Sequence, residues 1–62
     1  MKLTIEFSMD NAAFEDDANA EVETIIETTL KRLANADLGR EFSFPVFDTN
    51  GNKIGTCSVS DN

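Results

Sequence analysis

One cysteine, no histidine and twelve carboxylates make up the reactive inventory of this 62-residue chain. A cysteine nucleophile needs an activating base or a positive neighbourhood. No histidine is present to serve as that base, and the alternation around Cys57 turns it inward opposite Phe44. The spacing therefore assigns Cys57 to the core as a small hydrophobe. A structural zinc site takes four Cys or His ligands, which this chain does not have, and a lone cysteine closes no intrachain disulfide. Asp48, Asn50 and Asn52 around Gly51 have the composition of a calcium loop. In that loop the glycine follows the third ligand and a glutamate stands at the twelfth position. Here the glycine falls between the second and third oxygen donors, and the twelfth position is Val59. A hairpin turn explains the same residues. Paired carboxylates can serve as acid and base, and Glu23 and Glu27 lie four apart on one shoulder of a helix. No cleft is indicated around them, and Lys31 follows Glu27 at the spacing that favours a solvated pair. Gly39, Gly51 and Gly55 make no phosphate loop, and no basic patch interleaves with aromatics. The sequence predicts no catalytic residue, no metal ligand and no cofactor.

Size points the same way. A chain this short is expected to be a single domain over residues 1–62 and to bury only about 60% of its unfolded surface. Enzymes commonly use sites of roughly 300–1,000 Å³, which a thin core rarely encloses. The expectation is a protein that is not an enzyme.

Charge narrows the partners. Twelve Asp and Glu against five Lys and Arg leave a net charge of −7. Direct nucleic-acid binding needs Lys and Arg against phosphates, and an anionic membrane surface needs them too. Both are disfavoured. Asp10, Glu15, Asp16, Asp17, Glu21, Glu23 and Glu27 are seven carboxylates in an eighteen-residue window without a basic residue. Such an array can face a basic protein surface and imitate a phosphate backbone. The plainer account is solubility together with complementing the helix dipole.

The elements that position these residues read clearly. Leu3, Ile5, Phe7 and Met9 alternate with Thr4, Glu6 and Ser8, which predicts a strand with its odd positions inward. Phe14 is the one large apolar residue of the following connection and is expected to anchor it. Asp17, with Asp16 or Asn19 as alternatives, caps a helix starting near Ala18. Val22, Ile25, Ile26, Thr29, Leu30 and Leu33 form its apolar stripe. Lys31 and Arg32 complement the dipole in its last turn. Asn35 to Gly39 ends it, with Asn35 or Gly39 able to take positive φ. Asn50-Gly51 predicts a two-residue hairpin turn. That register pairs Phe42 with Val59, Phe44 with Cys57, Val46 with Gly55 and Phe47 with Ile54. A longer loop over Asp48–Asn52 would change it. Pro45 lacks an N–H and belongs on an edge. The expected fold is therefore α+β, two layers, β-α-β-β, with an antiparallel sheet in order 1-3-2 and one helix on one face. The polar end Ser60-Asp61-Asn62 is expected to fray.

One helix leaves the other sheet face open. Pro45, Phe47, Ile54 and Thr56 fall there and would form an apolar patch for self-association. Strand edges offer a second route to a homodimer.

No stretch approaches the ~20 apolar residues of a membrane-spanning helix. The N-terminal alternation is not a signal peptide's apolar run, and a lone cysteine suits a reducing cytosol.

The stretch Asp10-Asn11-Ala12-Ala13-Phe14 with Asp16-Asp17, the helix carrying Glu21, Ile25, Ile26, Leu30 and Leu33, and the turn Asp48-Thr49-Asn50-Gly51-Asn52 with Gly55 together resemble a group of small acidic proteins encoded by tailed bacteriophages. The resemblance spans most of the chain and rests on structural punctuation. Ala18 stands where some relatives are expected to carry proline. No activity or functional residue transfers with it. It implies a setting, the cytoplasm of a bacterial host, and a habit, which is binding and redirecting a host protein. Joined to the acidity, it predicts an accessory protein that meets a basic, nucleic-acid-handling host surface through Asp16, Asp17, Glu21, Glu23 and Glu27. The alternative is a self-associating module with no charge-based target.

Overall fold

The computed structural model describes residues 1–61. Strand β1 (Lys2–Phe7) leads through a 3-10 turn (Ala12–Phe14) into helix α1 (Ala18–Ala34), followed by β2 (Phe42–Phe47) and β3 (Lys53–Ser60). The sheet is antiparallel with order β1-β3-β2. Pro45 stands on an edge strand, where its missing N–H costs no ladder bond. The helix begins where its caps dictate. Asp17 accepts from the Ala20 N–H at 3.1 Å, and Lys31 and Arg32 close the last turn. Asn11 caps the 3-10 turn in the same way, accepting from the Ala13 N–H at 3.0 Å.

The core joins Ile25 and Leu33 of the helix to Val46 and Cys57 of the sheet, with Phe14 as the expected anchor of the connection. Phe7 stacks on Phe14 with ring centroids 6.4 Å apart, which ties β1 to that anchor.

Several sequence expectations are corrected. Strand β1 stops at Phe7, so Met9 lies exposed beyond it rather than inward. Within the helical stripe Leu30 is 54% exposed. The buried row is instead Glu21, Ile25, Thr29 and Leu33, spaced four apart. Thr29 fits there because its hydroxyl donates to the Ile25 carbonyl at 2.8 Å. The helix ends without a left-handed residue, and Asn35 keeps φ at −104°. Gly51 is the one described residue at positive φ, 85°. At the C-terminal end Ser60 belongs to β3, and the Asp61 N–H donates to Glu41 at 3.2 Å. The expectation for Asn62 lies outside the described residues.

The hairpin differs most. The loop spans Asp48–Asn52, closed by the Asp48 N–H on the Asn52 carbonyl at 2.9 Å. Phe47 pairs with Lys53, while every pair from Val46–Gly55 down to Phe42–Val59 keeps the expected register. One extra residue, Ile54, is absorbed by a bulge at Val46/Phe47. The physical reason lies in Asp48. Its carboxylate accepts the N–H groups of Asn50 and Asn52, each at 2.9 Å, and so organises a wider loop than a bare Asn-Gly turn.

Candidate functional site

The acidic window divides when folded. Asp10, Glu15, Asp16, Asp17, Glu23 and Glu27 are exposed, whereas Glu21 is 7% exposed. Glu21 sits four residues before Ile25 and therefore on the buried row. Its carboxylate accepts the Thr49 N–H and the Thr49 hydroxyl, both at 2.9 Å. The expectation that Glu21 belongs to the outward acidic surface is thus corrected, because it joins α1 to the hairpin loop. Its spacing was the available signal, since residues 21, 25, 29 and 33 share one helical row.

Of the six exposed carboxylates of the window, Glu23 and Glu27 are placed by the helix. At about 100° per residue, Glu23 and Glu27 fall on either side of the pole that points away from Ile25. They are separated by about 6 Å along the axis, one rise of 1.5 Å per residue. Asp16 and Asp17 are exposed just before the helix, Asp17 as its N-cap. The arrangement is a set of solvated carboxylates at the N-terminal end and on the outer side of α1, near the positive end of the dipole. It can attract a cationic surface. It brings no base and acid to bear on an enclosed substrate.

Of the residues foreseen for self-association, Pro45 and Thr56 face each other across β2 and β3, and Ile54 alone leaves the group. Phe47 is 46% exposed, Pro45 is half-buried and Thr56 is exposed. Ile54, however, packs against the core. The Phe47–Ile54 pair is not formed, because the bulge sets Lys53 opposite Phe47 and frees Ile54 to turn inward. Around Pro45, Phe47 and Thr56 the open face carries Ser43, Ser58 and Ser60 together with Lys2, Thr4 and Glu6 of β1.

A feature that sequence reasoning missed is a groove of about 260 Å³ between α1 and the edge strand β2. Thr24, Thr28 and Arg32 form one wall, and Phe44, Phe47 and Thr49 the other. The signal was present in the threonines four apart beside the apolar stripe and in the edge that Pro45 defines. Thr24 and Thr28 donate their hydroxyls to the Ala20 and Thr24 carbonyls at 3.1 and 3.0 Å. The ionisable groups of the wall are likewise engaged. The Arg32 guanidinium lies 4.2 Å from the Phe44 ring centroid, a cation–π contact. Asp48 accepts from Asn11 at 2.6 Å as well as from Asn50 and Asn52. The Asn52 N–H is the main group holding the Asp48 carboxyl below its ordinary value, and burial opposes it.

Cys57 is fully buried. Burial pushes its thiol up, and the Arg32 charge only partly offsets this. A protonated thiol in a packed sheet is a poor nucleophile. Labelling with a thiol reagent is expected to proceed only as fast as the chain unfolds, and to become immediate in denaturant. Fast labelling of the native protein would contradict that burial.

Among the described residues, no group of three or more Cys, Asp or Glu side chains is arranged to hold a metal ion, and no helix is long and apolar enough to cross a membrane. No protein-family model, curated protein or solved structure matches the chain.

Proposed function

We propose that this chain is a non-enzymatic, phage-type accessory protein that binds a basic host protein through the exposed carboxylates of α1 and its N-terminal end. The observation that carries this reading is the joint exposure of Asp16 and Asp17 at the N-terminal end of α1 and of Glu23 and Glu27 on its side opposite the buried Ile25. A set of this kind steers association with a cationic, nucleic-acid-handling surface, and salt weakens it. It would act there as a mimic of the phosphate backbone and so as an inhibitor. The phage setting and the host cytoplasm come from the sequence resemblance alone.

The test is a pulldown from bacterial lysate with wild type and with Asp16→Asn, Asp17→Asn, Glu23→Gln and Glu27→Gln combined. Asparagine still caps a helix, so the fold is retained. Glu21 is left unchanged because it braces the loop. Partner recovery is expected to fall at least about tenfold with the neutralised variant, roughly 1.4 kcal/mol. It is also expected to decline for wild type as salt is raised. Equal recovery by both proteins would remove these carboxylates from the function.

A further inference from the structure

The two sheet edges are not equivalent, and the difference identifies a second surface. The Ser8 N–H donates to the Ile54 carbonyl at 2.9 Å, so these opposed residues form a hydrogen-bonded pair. Such pairs alternate along an antiparallel ladder. In the β1–β3 register, Glu6–Thr56, Thr4–Ser58 and Lys2–Ser60 are then the bonded pairs. Leu3, Ile5 and Phe7 accordingly turn their N–H and C=O groups to the free edge of β1. The same alternation on the other side of β3 puts the nitrogen of Pro45 on the free edge of β2, the position a proline requires. Edge β2 is thus blocked at its middle, and edge β1 is open.

We infer that β1 pairs with β1 of a second copy of this chain, antiparallel and centred on Thr4. In that register Leu3 meets the partner's Ile5, Thr4 meets the partner's Thr4, and Lys2 meets the partner's Glu6. The two-fold axis repeats each contact. Both charge pairs are attractive, so the strand is electrostatically complementary to itself. The outward N–H and C=O groups of Leu3 and Ile5 fall opposite those of the partner's Ile5 and Leu3, as a bonded pair requires. The result is a six-stranded sheet with both helices on one face.

The exposed apolar side chains lie where this pairing would cover them. Leu3 is on the helix-side face of β1 and is 51% exposed. The helix flank carrying Thr24, Thr28 and Arg32 faces β2 across the groove. The opposite flank, with Val22, Ile26 and Leu30, is therefore turned toward β1. Leu3, Ile26 and Leu30 of each copy then line the seam between the two helices. This surface is separate from Asp16, Asp17, Glu23 and Glu27, and the inference does not depend on the proposed partner.

Sedimentation equilibrium tests it with wild type, Lys2→Glu, Glu6→Lys and the double swap. Lys2 and Glu6 are exposed, so the monomer fold is spared. Wild type is expected to dimerise. Each single change replaces two attractive cross-strand pairs by two repulsive ones and is expected to raise the dissociation constant about tenfold. The double swap and an equimolar mixture of the two single variants are both expected to restore the wild-type value. Lys2→Glu makes the chain more negative and Glu6→Lys less so, so weakening by both separates specific pairing from general repulsion. A wild type that stays monomeric, a dimer indifferent to both single changes, or a double swap that fails to restore association would each overturn the inference.

Discussion

Gly55→Ala is expected to leave the chain largely unfolded. Gly55 lies between Phe7 of β1 and Val46 of β2, in the central strand. A methyl group there would overlap the Glu6 carbonyl and sit 2.5 Å from the Phe7 Cα. Both are backbone atoms of the neighbouring strand, so no rotamer change relieves the contact. Separating β1 from β3 would break the ladder that holds β1 in place. Overpacking a core costs about 1–3 kcal/mol where side chains can yield. Against backbone the cost is expected at or above the top of that range. A domain below roughly 70–80 residues seldom has more than about 3–5 kcal/mol in hand. Urea titration followed by circular dichroism measures the effect. The contrasting variants are Gly51→Ala and Gly39→Ala. Gly51 has open space around it but a φ of 85°, so alanine there costs strain alone, about 1 kcal/mol. Gly39 would meet only the Asp37 carboxylate at 3.3 Å, and its change is expected to be nearly silent. A Gly55→Ala midpoint equal to wild type would mean that β1 does not approach β3 as closely as described.

The glycine contrast shows which parts of this fold a sequence can disclose. Pro45 set the strand order, because a missing N–H has one cheap location in a sheet. Alternation set the inward face of β1 and the register of the hairpin from Val46 to Phe42, because a one-residue slip would exchange core and solvent faces. At the loop the sequence left two geometries open, the tight turn and the longer Asp48–Asn52 loop that the structure shows. Asn50-Gly51 alone favours a tight turn, and only the convergence of Asn11, Asn50 and Asn52 on one Asp48 carboxylate reveals a wider one. Asn11 lies far along the chain from Asp48, and local pattern carries no trace of their contact. Glu21 was misplaced for a related reason. Its helical row was legible, but a charged residue on a buried row is credible only when its donors are known, and Thr49 comes from the hairpin loop. Leu30 was misplaced because a stripe of six apolar positions is wider than the strip of sheet the helix covers. Among the exposed carboxylates, Glu23 and Glu27 were legible as helical positions and Asp16 and Asp17 as the acidic run before the helix. The groove beside β2 was legible only in its components.

Acidification is expected to loosen the hairpin loop through Asp48. Its two oxygens accept four donors: Asn11 Nδ2 at 2.6 Å, the Asn50 and Asn52 N–H groups at 2.9 Å each, and Asn52 Nδ2 at 3.3 Å. These donors favour the charged carboxylate, led by the Asn52 N–H, and hold the group below its ordinary 3.8. A carboxyl with a depressed folded value contributes stability that is fully present above 3.8 and is lost as pH falls through that folded value. Urea midpoints of wild type are therefore expected to decline in that acid range. Relief of repulsion among the other carboxylates acts in the opposite direction, so the comparison that isolates Asp48 is with Asp48→Asn. The asparagine variant is expected to start lower at neutral pH and to lack this part of the acid decline. Glu21→Ala removes the second tie on the same loop, which is a charge-assisted pair of bonds to Thr49 and is expected to contribute about 1.5–3 kcal/mol. Because Asp48 and Glu21 grip adjacent residues, losing one leaves less for the other to hold, and the double variant is expected to lose less than the two single losses combined. Parallel acid profiles for wild type and Asp48→Asn, or strict additivity with Glu21→Ala, would show that the loop is held by something other than these two carboxylates.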